Sequence, residues 1–423
     1  MTIVVIGAGV IGLACAYELS DLGLEVTVLD AGAVGAGASA GNAGWITPFL
    51  SVPRAAPGAV RDAVRSLFSS AAPARLRPHL EWDFASWVMR FLRACSKRRS
   101  SRATAALQAL ARHAHEHVDS LLERGVTFEH HTEGLAVVFK RAANLQQFRR
   151  LTDRMRSLGY VGEIEVHRGQ DIVAFDPALR PDLAGVVHLV SERHVRPETL
   201  TAGLAKALAA NGGAVIEHDA AVRLQSRPGG KWTVDTSEGR QLEADQVVVA
   251  AGYASRALLK PLGVPVPLEA AKGTSMTAYG RGTAPSHPLK LYESMVACSP
   301  FGGAVRLSGT FDIGRRDFEL DRKRLDTVVR EGLSYLKTWR PTEIDVEWVG
   351  HRPTTADDLP VIGPVPTHEG LYLATGHGTL GVTLGPVTGA LAAREIAQRT
   401  EHALLTPFRL DRFGVRIRTP ELV

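Results

Sequence analysis

Cysteine is scarce in this sequence. Three occur in 423 residues, Cys15, Cys95 and Cys298, far apart and with no Cys-x-x-Cys pair. That argues against a disulfide framework or a cysteine zinc site, and no metal is expected. It fits a reducing, cytoplasmic setting. No apolar run reaches eighteen residues, so no transmembrane helix is expected. The apolar N-terminus lacks a basic flank and is broken by glycines, which argues against a signal peptide. There is no internal repeat and no low-complexity tail. What remains is an ordinary globular composition, 45% hydrophobic and 22% charged, with 41 glycines. The length suggests two or three domains.

The formal charge of +5 is unevenly spread. Residues 54–102 carry eleven Arg or Lys against three acids, interleaved with Trp82, Phe84, Trp87, Phe91 and Leu92. No nucleic-acid module accompanies this run, so nucleic acid is not an expected partner. Two readings stay open. One is a helical flap whose aromatics pack inside. The other is peripheral contact with an anionic membrane, at the inner face of the cell membrane.

The strongest local signal is at the start. Residues 2–6 read as a buried parallel strand, residues 7–12 as a glycine turn, residues 11–22 as a helix stopped by Gly23, and residues 25–29 as a second strand ending at Asp30. The turn is Gly7-Ala8-Gly9-Val10-Ile11-Gly12, a GxGxxG placed between strand and helix, with an acid eighteen residues after its last glycine. In that context it is a dinucleotide-binding fingerprint. Gly7 permits the tight turn, Gly9 lets the backbone approach a pyrophosphate, and Gly12 lets the helix pack on the strand. The helix N-terminus offers free N–H groups to the phosphates. Asp30 is placed to accept from ribose hydroxyls and to repel a 2′-phosphate.

Three further segments favour FAD over NAD. The small-residue run 37–44 admits a bulky ligand. The strand 245–250, followed by Ala251 and Gly252, can lie beside it. Gly376-His377-Gly378-Thr379-Leu380-Gly381, before a helix expected from about Gly385, is a second nest of backbone donors, suited to the electron-rich end of an isoalloxazine. The expected cofactor contacts are Gly7, Gly9, Val10, Ile11, Gly12, Asp30, Ala31, Ala38, Ser39, Asn42, Ala43, Gly44, Trp45, Val222, Ala251, Gly252 and 376–381.

Elsewhere, helix is expected over much of 59–125, over 143–158, 198–211 and 319–339, and strands dominate 266–312. The fold class is α/β, α+β overall. A Rossmann-like FAD-binding domain (1–80, 190–265, 350–423) is interleaved with a substrate domain on a mixed or antiparallel sheet (81–189, 266–349).

These motifs, with Pro267-Leu268-Glu269-Ala270-Ala271-Lys272-Gly273 and Arg352-Pro353-Thr354-Thr355-Ala356-Asp357-Asp358-Leu359-Pro360-Val361-Ile362-Gly363, resemble the D-amino acid oxidase/glycine oxidase superfamily of FAD-dependent oxidoreductases. Nearly the whole chain is covered. The sequence is most similar to the bacterial D-amino acid dehydrogenase small-subunit group. The resemblance implies that Ala43, Gly44 and Trp45 lie near the flavin ring, Val222 on the adenine side and 376–381 at the pyrimidine end. It implies that Arg352 holds a substrate carboxylate, for which a planar guanidinium is suited. The related dehydrogenases pass electrons to a membrane respiratory chain, and the acceptor here stays open between a quinone of that chain and O2. Val382 stands where the dehydrogenase group usually carries tryptophan, His351 replaces a common leucine, and Asp357-Asp358-Leu359 replaces a Pro-Asp-Gly type of turn. These departures touch substrate identity.

The expected reaction is oxidative deamination of a D-amino acid, a small carboxylate-bearing amine, by hydride transfer to flavin N5, giving a 2-oxo acid and ammonia. His377 and Tyr292 join Arg352 as catalytic candidates, and His351 is expected to pack. Several alternatives remain: a cyclic imino acid such as D-proline, glycine or a specialised amine as substrate; a non-catalytic flavin subunit; and Arg352 as a structural partner of Asp357 or Asp358.

Overall fold

The computed structural model describes residues 1–61 and 74–414. The helical expectation for 59–125 therefore falls partly outside the described residues. Within them it appears as three helices, Trp82–Ala94, Lys97–Ala111 and Ala114–Glu123.

A six-stranded sheet organises the cofactor half. Its order is Ala214–Ile216, Glu25–Leu29, Thr2–Ile6, Gln246–Val249, Leu371–Thr375 and Val361–Pro364. The first five are parallel and the last is antiparallel. The central strand is an unbroken apolar run, Ile3 to Ile6, buried on both faces, as a strand covered on both sides requires. The helix Val10–Asp21 packs on one face against the helix Gly381–Gln398, in a core that includes Leu13, Val387 and Leu391.

The second large sheet is mostly antiparallel. Along its main path run Arg340–Thr355, Leu268–Arg281, Ala304–Ile313, Val296–Phe301, Leu289–Leu291, Leu135–Phe139, Gly185–Leu189 and Ile164–His167. The α/β class with a Rossmann-like sheet and a second, mainly antiparallel sheet is the one the sequence led us to expect.

Two helix boundaries differ from expectation. The helix expected over 319–339 spans only Arg322–Leu333. It starts where Asp321 Oδ1 accepts from the Arg324 amide at 3.2 Å, an N-cap. It stops because Tyr335, Leu336 and Trp339 are drawn into the core under the second sheet. The helix expected from 385 begins at Gly381. Glycine and threonine suggest a turn there, but Val382 and Leu384 are buried against the first helix, and packing overrides propensity. The strands Ile164–His167 and Gly185–Leu189 were not anticipated.

Glu192 is fully buried beside the loop that follows Trp45, where its Oε1 accepts from the Phe49 amide at 3.2 Å. Burial pushes its pKa from 4.5 up to about 8. The folded protein therefore holds a proton that the unfolded chain releases, and stability falls as pH rises from 4.5 through 8. Glu192→Gln removes that slope, a gain of about 3 kcal/mol at pH 7 at 1.36 kcal/mol per pKa unit. In thermal denaturation the variant should gain over the parent at pH 8 and little at pH 5; equal curves at pH 8 would refute the buried-acid account.

Candidate active site

A cleft of about 790 Å³ runs over the C-terminal edge of the parallel sheet, bounded on its other side by the second sheet. Ligands of open α/β sheets bind at this edge. Gly7 has φ +112°, its amide donates to Leu29 O at 2.8 Å, and a Cβ there would lie 2.5 Å from Ala250 O. A Cβ on Gly12 would lie 1.8 Å from Gly7 O. The turn and the helix start are thus pressed together with no room for a side chain. Ser39 Oγ accepts from the Val10 amide at 3.0 Å, and the next amides of that first turn have no intrahelical acceptor. This glycine cradle at a helix N-terminus fits a pyrophosphate. Asp30 lines the cleft, and its carboxylate accepts from the Ala8 amide at 2.6 Å and the Gly32 amide at 2.8 Å. It holds the turn's shape from the cleft wall.

Most of the expected cofactor contacts line this cleft. Gly7, Gly9, Val10, Ile11, Asp30, Ala31, Ala38, Ser39, Asn42, Val222, Ala251, Gly252, Gly376, His377, Gly378 and Gly381 lie on its wall. Gly12, Ala43, Gly44, Trp45, Thr379 and Leu380 are not among the residues that line it. The loop 41–45 is instead fastened to the second sheet. Arg306 Nη1 donates to Asn42 O at 2.9 Å, Ser299 Oγ to Ala43 O at 2.8 Å, and Trp45 Nε1 to Ser299 Oγ at 2.9 Å. Thr379 Oγ1 accepts from Arg54 Nη2 at 2.5 Å.

Apart from His351, which the sequence pointed to as a packing residue, the opposite wall was missed in the sequence. Tyr253, Arg316, Phe318, Trp348, Gly350 and His351 contribute to it. They come from a strand and two loops with no motif of their own. The charges of the Pro267–Gly273 motif turn out to be paired: Glu269 with Arg316 at 2.8 Å, and Lys272 with Asp317.

Arg352 lies on the strand Arg340–Thr355, between His351 and Pro353; those two are on the cleft wall, and Arg352 itself is not among the residues that line it. Its Nη1 donates to Thr310 O at 3.0 Å, and the guanidinium passes close over Gly273, where a Cβ would meet it at 1.9 Å. Its expected structural partners are taken by others. Asp357 pairs with Arg412 at 2.8 Å, and Asp358 with Arg54 at 3.5 Å. Among the described residues Arg352 has no ion-pair partner within 4 Å. Burial first, and then the charge of Arg54, lower its pKa to about 10, so it stays a cation.

His377 is buried, and its Nε2 meets Thr388 Oγ1 at 3.2 Å. Burial lowers its pKa to about 3, so the ring is neutral near pH 7. That geometry suits positioning better than acid–base work. Tyr292 packs against Phe139 and Phe148, with ring centroids 4.8 and 6.0 Å away, and is not on the cleft wall. Its candidacy for the carboxylate gains no support. His351 packs on Phe318 at 4.3 Å and bonds Asp317 O at 3.0 Å.

Comparison with known proteins agrees with this geometry. The D-amino acid dehydrogenase of Methylobacterium nodulans is 32% identical over 412 residues, covering 94% of this chain and 96% of that protein. D-amino acid dehydrogenase 2 of Ralstonia nicotianae is 29% identical over 97% of this chain and all of its own length. Among solved structures, glycine oxidase from Geobacillus kaustophilus superposes with a TM-score of 0.74 over 97% of this chain and 98% of its own, at 22% identity, a likeness of fold. The family model for FAD dependent oxidoreductases matches residues 2–395, and the chain belongs to that family, as an enzyme that uses FAD.

Proposed function

We propose that this enzyme oxidatively deaminates a D-amino acid. The observation that carries the reading is Arg352, a half-buried guanidinium that among the described residues has no acidic partner, on a strand whose neighbouring residues line the cofactor cleft. A buried cation is costly unless something pairs with it, and a substrate carboxylate supplies that pair through two parallel hydrogen bonds. The D-amino acid dehydrogenase relatives, each aligned along more than nine-tenths of its length, support the substrate class. When bound, FAD supplies the acceptor for the α-hydrogen as hydride, leaving an imine that water converts to a 2-oxo acid and ammonia.

The chain's own residues bind and orient. The titratable groups on the cleft wall are Asp30, Tyr253, Arg316, His351 and His377. Arg316 is held by Glu269 and Glu81, and burial lowers the pKa of both histidines. None is a free carboxylate near Arg352, so the amine must reach the site neutral. The holoenzyme should bleach under anaerobic conditions on addition of D-amino acids, more slowly with their L-enantiomers. Bleaching only by cyclic imino acids or by glycine would move the substrate class, and no bleaching by any amine would end the proposal.

The helix Trp82–Ala94 supports a peripheral membrane contact. It buries Phe84 and Trp87 but leaves Trp82 84% and Met89 54% exposed. Arg93, Lys97, Arg98 and Arg99 are exposed at and beyond its C-terminal end. Among the described residues no helix is long and apolar enough to cross a membrane. Exposed aromatic and basic residues together suit an anionic interface. The protein should co-sediment with phosphatidylglycerol vesicles at low salt, and less so as Trp82→Ser with Met89→Ser. Full recovery in the supernatant at low salt would reject the contact.

A further inference from the structure

We propose that the substrate carries a second carboxylate, received by Lys290 and Arg54 while Arg352 holds the α-carboxylate. The proposal rests on the D-amino acid reading above and narrows it to the dicarboxylic members of that class.

Lys290 is the middle residue of the strand Leu289–Leu291, and among the described residues its ammonium has no hydrogen bond or ion pair. The sheet register fixes its direction. Lys290 opposes Ala297, Ala297 opposes Ser308, Ser308 opposes Ser275, and Ser275 opposes Trp348. Directly opposed residues of antiparallel strands share a face, and residues two and four apart on one strand share it too. Lys290, Trp348 and Arg352 therefore stand on one face. It is the face turned to the flavin-side loop, because Ser308 Oγ donates to Gly41 O at 3.3 Å and Trp348 lines the cleft.

Arg54 reaches the same space from the loop side. Its guanidinium lies 4.0 Å from the Phe311 ring centroid, and that of Arg352 lies 5.9 Å from the same ring. Its charge is felt at both other cations. Burial first, and Arg54 second, bring Lys290 down to about 8, and the same two causes act on Arg352.

Charge then selects the ligand. Arg54 lies near enough to both other cations for its charge to act on each, and one carboxylate, Asp358, pairs directly with Arg54. Asp312, the other acid felt at Arg352, is engaged by Arg324 at 3.2 Å. A substrate with a neutral amine and one carboxylate leaves one of these half-buried cations uncompensated. A substrate with two carboxylates balances the site, and desolvated charge without a partner is what buried sites tolerate least.

The test uses the FAD-loaded enzyme and matched pairs. Anaerobic flavin reduction is measured with D-glutamate against D-glutamine and with D-aspartate against D-asparagine. The acid of each pair should be favoured at least tenfold in the second-order rate constant, and Lys290→Met should shrink that ratio tenfold or more. Glutarate, which has no amine to oxidise, should bind the oxidised enzyme more tightly than butyrate, as read by perturbation of the flavin spectrum, and should lose that advantage in Lys290→Met. If the amides outperform the acids in the unmodified enzyme, the second carboxylate is refuted while the D-amino acid function stands. If no D-amino acid reduces the flavin, the functional reading fails, and the glutarate titration still decides the pocket. A variant that keeps the full acid preference would remove Lys290 from the role.

Discussion

Arg352→Met is expected to lower kcat/KM for a D-amino acid by about 100- to 1000-fold, mostly through KM, with the melting temperature unchanged or higher. The first half follows from losing two charge-assisted hydrogen bonds to the carboxylate, each contributing roughly 1.5–3 kcal/mol. The second half follows from the environment of Arg352. Among the described residues its side chain makes one hydrogen bond, to Thr310 O, and no ion pair, and the charge of Asp312 offsets its burial only in part. Removing a buried charge that lacks a partner costs the fold little, and methionine refills much of the aliphatic stem. Loss of activity and retained stability together separate a substrate-binding arginine from a structural one. A lower melting temperature with an unchanged KM would identify the structural kind. Arg352→Lys should recover only a fraction of the activity, since an ammonium cannot present the same planar fork.

Gly12→Ala should yield protein that is largely colourless. The added Cβ would sit 1.8 Å from Gly7 O, a backbone atom that cannot swing aside. Gly7 itself is pinned by its bond to Leu29 O and by its contact with Ala250. The first turn of the helix must therefore move away from the strand, and its free amides move with it. Overpacking of this kind costs about 1–3 kcal/mol even where a core can adjust, and here the displaced groups are the ones facing the phosphates. Flavin content per chain, read from visible absorbance, should fall at least tenfold while far-ultraviolet circular dichroism stays near that of the parent. A fully yellow Gly12→Ala protein would move the pyrophosphate away from this turn.

The cofactor half was legible because its signals are local. The strand, turn, helix and strand of residues 2–29 carry their periodicity and their glycines within thirty residues, and they form the expected unit. Arg352 stood out because its motif is contiguous. Partnerships between distant segments were not legible. Nothing near Asp357 or Asp358 in the chain indicates that Arg412 and Arg54 engage them. Trp348 and Lys290 belong to strands, where a side chain's role depends on which sheet forms and in what register. The helix start at Gly381 was obscured for a related reason. Its glycines lower helix propensity locally, yet they let the helix press against Val10 and Ala14, a benefit visible only in three dimensions.

The order of strands in the cofactor sheet also bears on how the enzyme is made. Thr2–Ile6 sits at the middle of that sheet and is made before every other strand of it. Its neighbour Gln246–Val249 follows more than two hundred residues later, and Leu371–Thr375 later still. Until those strands dock, the glycine turn has neither Ala250 behind it nor the 376–381 nest across from it. Flavin capture then waits until both later strands have been made and have docked. A message truncated before Thr375 would leave a nascent βαβ unit with exposed apolar strand edges, a substrate for proteases and chaperones rather than a reservoir of half-built enzyme.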